Sequence, residues 1–84
     1  MTSKEIINRL IDLKDSGAVM DYLVETDFSV RDGQKFVKTR LTIFNSTGKP
    51  QVTTGLVESK IEESDITTLQ DKSIEIAWNQ NPII

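Results

Sequence analysis

Two long runs of alternating side chains meet at Asp32-Gly33, and this constrains the fold more than any other feature of the chain. Over residues 18–30, Met20, Tyr22, Val24, Thr26, Phe28 and Val30 alternate with Val19, Asp21, Leu23, Glu25, Asp27 and Ser29. Period two is the signature of a strand with two unlike faces. The first set is expected to face the core. Asp-Gly between two such runs predicts a tight hairpin, because both turn residues must reach positive φ. The return strand is expected over 35–45, with Val37, Thr39, Leu41 and Ile43 on one face and Phe36, Lys38, Arg40, Thr42 and Phe44 on the other. Asn45-Ser46-Thr47-Gly48-Lys49-Pro50 predicts a second turn. A third strand follows over 51–60, where Gly55 points to a bulge or a close backbone approach.

A helix is expected before the hairpin, over 2–15. Thr2 and Glu5 have the T-x-x-E spacing of a capping box, and Ile6, Ile7, Leu10, Ile11 and Leu13 form a stripe at helical spacing. Gly17 would end it. The last third fits two templates. Ile66, Leu69, Ser73, Ile76 and Ala77 make one face of a helix, whereas Ser73–Trp78 also alternates as a fourth strand would. The expected fold is therefore α+β in a single domain over 1–84. An N-terminal helix packs on an antiparallel meander of three or four strands, and a second helix or a fourth strand closes the chain.

Composition narrows function by subtraction. The 84 residues include no Cys and no His. Disulfides, thiolate nucleophiles and Cys-ligated zinc are thereby excluded, along with the commonest general base and metal ligand. No cofactor and no enzymatic activity are expected. Ten basic and thirteen acidic residues give a net charge of -3, the wrong balance for a dedicated nucleic-acid binder. The N-terminus turns charged at once, and the apolar runs fall far short of the ~20 residues of a spanning helix. The expected setting is a reducing cytoplasm, with no membrane partner.

Four groups of residues are candidates for function. Glu58, Glu62, Glu63 and Asp65 form an acidic cluster around the third turn; it would suit a partner protein with a basic surface, or simply charge a helix start. Phe36, Lys38, Arg40 and Phe44 interleave basic and aromatic side chains on one strand face, as single-strand binders do, or else present a protein-contact patch if nothing covers them. Asp21, Glu25 and Asp27 share a face of the first strand and could hold a hard cation, or discourage edge pairing. Trp78, the single Trp, suits a core plug or an interface anchor. The preferred expectation is a small non-enzymatic protein-binding module acting through the acidic surface. The alternative is a nucleic-acid-binding protein using the second strand. An exposed strand edge would also permit a homo-oligomer.

The order helix, three meander strands, final helix resembles the double-stranded-RNA-binding domain, although Ile61-Glu62-Glu63-Ser64-Asp65 stands where that family carries a Lys cluster. The stretch Lys38-Thr-Arg-Leu-Thr-Ile-Phe44, then Gly48, then Thr54-Gly55-Leu-Val-Glu58 is similar to the hairpin of phage single-strand annealing proteins. Leu69–Ala77 stands where their Ala-rich helix begins, without its Arg-Ala-Leu ending. Either resemblance implies nucleic-acid binding. In size, charge and layout the chain also resembles small acidic inhibitors carried by phages, which implies a host protein as target.

Overall fold

A computed structural model describes residues 1–62 and 65–81. The order is α1 (Ser3–Asp15), β1 (Val19–Arg31), β2 (Gln34–Asn45), β3 (Pro50–Lys60) and α2 (Ile66–Asn79). The strands form one antiparallel sheet in the order β1-β2-β3. Both helices lie on one face of it; α1 packs on β1 and against α2, which lies over β2 and β3.

The local signals explain the elements. Thr2 Oγ1 accepts the Glu5 N–H at 3.2 Å, and Glu5 Oε1 accepts the Thr2 N–H at 3.1 Å, so the capping box is complete. Asp32 and Gly33 sit at φ 51° and 75°, a turn whose twist matches the strands it joins. In the second turn, Asn45 Oδ1 accepts the N–H groups of Thr47 and Lys49, both at 2.9 Å.

The C-terminal segment resolves as a helix, which removes the fourth-strand alternative. Asp65 caps it by accepting the Thr68 N–H at 2.8 Å. Its inward face is Leu69, Ser73, Ile74 and Ala77, whereas Ile66 and Ile76, expected inside, are exposed. Gly55 explains this placement. A Cβ there would overlap the backbone of Ser73 and come within 2.7 Å of Ala77 N, so the helix rests directly on β3 at the one residue without a side chain. The β2–β3 register has no shift, so Gly55 marks a close approach and not a bulge.

The core joins Ile6 and Leu10 of α1, Val19, Leu41 and Ile43 of the sheet, and Ile74 and Ala77 of α2, with Trp78 packed partly buried against it. A hydroxyl relay crosses the helix–sheet boundary. Ser73 donates to Gln70 C=O at 2.8 Å, so Thr39, 2.6 Å away, must donate to Ser73, and Thr26 in turn to Thr39 at 3.3 Å. Thr53 Oγ1 donates to Ala77 C=O at 2.7 Å. Among the described residues, no buried side-chain N or O lacks a partner.

The inner face of β1 departs from simple alternation. A register shift between Val19 and Asp21 inserts one residue, turning Val19 into the core and leaving Met20 63% exposed. At the other end, Phe28 and Val30 lie on the helix side of the sheet yet are 50% and 48% exposed. A strand as long as β1 spans about 43 Å, whereas a helix as long as α1 spans only ~20 Å, so the helix layer runs out before the hairpin does.

Candidate interaction face

Among the described residues, the second face of the sheet carries no helix. Reading across the ladder, its rows are Leu23, Thr42 and Val52; Glu25, Arg40 and Thr54; Asp27, Lys38 and Leu56; Ser29, Phe36 and Glu58. Leu23, Val52 and Leu56 are 48%, 53% and 60% exposed, while Thr42 is buried between its neighbours. The face is therefore apolar at intervals and polar between them.

It carries charges of both signs, and one cross-strand ion pair joins two of them. Arg40 donates from Nε and Nη2 to Glu25 Oε1 at 3.1 and 2.8 Å. This carboxylate holds the guanidinium pKa above its ordinary value. Lys38 stands across from Asp27. The Arg31 guanidinium lies 5.1 Å from the centre of the Phe36 ring, a stacking distance. Asp27, Ser29, Arg31, Phe36, Lys38 and Leu56 line a shallow depression of about 320 Å³.

The structure gathers Phe36, Lys38, Arg40 and Phe44 on this uncovered face, as alternation requires, but sets Glu25 and Asp27 beside the two bases. The first-strand acids do not converge on a cation. Asp21 faces Lys14 at 3.1 Å and accepts the Tyr22 N–H, which, more than Lys14, holds its pKa below the usual carboxylate range; Glu25 is taken by Arg40. Among the described residues, no group of three or more His, Cys, Asp or Glu is placed to hold a metal ion.

The acidic cluster around the third turn is divided. Glu58 stands beside Phe36 on the uncovered face, whereas Asp65 belongs to the helix layer as the cap of α2. The Thr68 N–H is the main reason its pKa falls below the ordinary value, with a further contribution from nearby Lys35. Glu62 is exposed in the turn, and Glu63 lies outside the described residues. The apolar members Leu23, Val52 and Leu56 escaped sequence reasoning. Alternation set Leu23 with the first-strand acids and Val52 with Leu56, but only the strand register joins them to Lys38 and Arg40, and only the helix positions reveal which face stays open. No helix among the described residues is long and apolar enough to cross a membrane. Compared with known proteins, the chain matches no family model, no curated protein and no solved structure.

Proposed function

We propose that this chain is a non-enzymatic protein-binding module whose contact surface is the uncovered sheet face. One observation carries the reading: Leu23, Val52 and Leu56 are about half exposed on a face where Arg40 and Lys38 stand across from Glu25 and Asp27. Such a mixture suits a protein interface, where exposed apolar groups supply burial and paired charges supply register. It suits a phosphate backbone poorly, because Glu25, Asp27 and Glu58 share the face with its bases and would repel phosphates. The net charge of -3 supports a partner with a basic surface, steered in by long-range attraction before the face docks. Glu58 and Glu62 would serve that steering. The absence of His and Cys supports a non-enzymatic role in a reducing cytoplasm. Small size, acidity and layout support an accessory or inhibitor protein of the phage type.

The test is capture from the native host followed by titration of the purified partner. Leu56→Glu should weaken binding at least ~30-fold while leaving the circular dichroism unchanged. Glu62→Lys should slow association and flatten its salt dependence, with little effect on the dissociation rate. Binding indifferent to Leu56→Glu would refute the face. The alignment of Phe36, Lys38, Arg40 and Phe44 on the same open surface favours a second reading, single-stranded nucleic acid. It requires affinity for an oligonucleotide that falls steeply with salt and is lost in Lys38→Glu.

A further inference from the structure

We infer that the hairpin end of β1 is a self-complementary edge, through which two copies of this chain join their sheets into one of six strands. This edge is separate from the open face. It includes Phe28 and Val30, which lie on the helix side of the sheet where no helix reaches, half exposed.

The phase of the ladder decides what this edge offers. Ile61 N–H donates to Gly33 C=O, and Asn45 N–H to Lys49 C=O. These bonds set the odd residues of β2 toward β3 and its even residues toward β1. Through the β1–β2 register, the odd residues of β1 from Asp21 to Arg31 bond to β2. The backbone groups of Thr26, Phe28 and Val30 therefore point out of the sheet. A two-fold axis at Phe28 sets Phe28 against the partner's Phe28 and Thr26 against the partner's Val30, as bonded antiparallel pairs.

Charge narrows the register. Centring the pair on Thr26 would set Glu25 against the partner's Asp27, and centring on Asp27 would oppose two copies of that acid. Centred on Phe28, Glu25, whose Oε1 already holds Arg40, would share its carboxylate with the partner's Arg31, and Asp27 meets the partner's Ser29. Like charges directly opposite are avoided, and two opposite-charge pairs form by symmetry. The acids of β1 thus disfavour the registers centred on Thr26 and Asp27; centring on Ser29 would set Asp27 against the partner's Arg31, and the Phe28 cysteine variant distinguishes that register from this one. The other edge is less suited. α2 rests on β3 at Gly55, so a second copy there would bring helix against helix.

Sedimentation velocity on the full chain is expected to show a dimer of about 19 kDa, twice 9.5 kDa. Phe28→Lys places two cations face to face and should weaken dimerisation at least ~10-fold. A cysteine pair reads the register directly, since the chain has no Cys of its own. Phe28→Cys should form an intermolecular disulfide on mild oxidation, because Cα atoms of a bonded pair lie ~5.5 Å apart, within disulfide reach. Val24→Cys, whose two copies would stand roughly 27 Å apart, should not. Monomer at all concentrations, or no disulfide at Phe28→Cys, overturns the inference. If Phe28→Lys fails to fold, the cysteine variants decide alone.

Discussion

Gly55 shows how much one residue can fix. Its missing side chain lets the α2 backbone descend onto β3, and Thr53 then reaches Ala77 C=O. Gly55→Ala should cost about 1–3 kcal/mol in urea melts, because the new methyl must displace backbone and not a flexible side-chain end. The caps act at the same scale. Glu5 and Asp65 each accept a backbone N–H that holds the carboxyl below its ordinary pKa. A carboxyl with a lower pKa in the folded state contributes stability that is fully present above its unfolded pKa. That stability disappears as the pH falls through the folded value, so it should fade below about pH 4. Asp65→Asn keeps an oxygen for the Thr68 N–H but does not titrate. Its melting temperature should match the wild type at neutral pH and fall less on acidification.

Among the elements, β1 is the least regular, and its two ends fail alternation for different reasons. At the start, an inserted residue exchanges the roles of Val19 and Met20. Val19→Ala should therefore cost ~1–2.5 kcal/mol in urea unfolding and Met20→Ala under ~1, the reverse of what period two alone would assign. At the far end the pattern holds but the helix layer does not extend over it. α2 illustrates competition between templates. Ser73–Trp78 alternates well enough for a strand, yet Leu69, Ser73 and Ala77 at four-residue spacing met a prepared groove over Gly55. Packing on an existing sheet outweighed a local pattern that fits either state.

At the scale of the molecule, a single sheet carries helices on one face and, among the described residues, none on the other. Among the described residues, β2 is the only strand bonded on both sides, and it supplies Val37, Thr39, Leu41 and Ile43 to the interior. Hydrogen exchange should be slowest at the β2 amides from Val37 to Ile43. It should be fast at Val52, Thr54 and Leu56, whose N–H groups point out of the β3 edge. Equal protection in both strands would mean that β3 has a partner strand in solution.

The chain's own residues determined the parts that depend on neighbours in sequence. Thr2 and Glu5 set the first helix start and Asp32-Gly33 the hairpin, because caps and turns act within a few residues, whereas Gly55 by itself fitted a bulge as well as a close approach. The lining of the β2 faces was legible too, since alternation is a local property. Tertiary structure decided everything that required knowing what lies opposite. It chose helix over strand after Asp65, turned Val19 in and Met20 out, and split the acids of the third turn between two layers. It also left Leu23, Val52 and Leu56 uncovered beside Lys38 and Arg40. The physical reason is that period two divides a strand into two faces but carries no sign. Which face becomes core depends on where two short helices find room on a longer sheet.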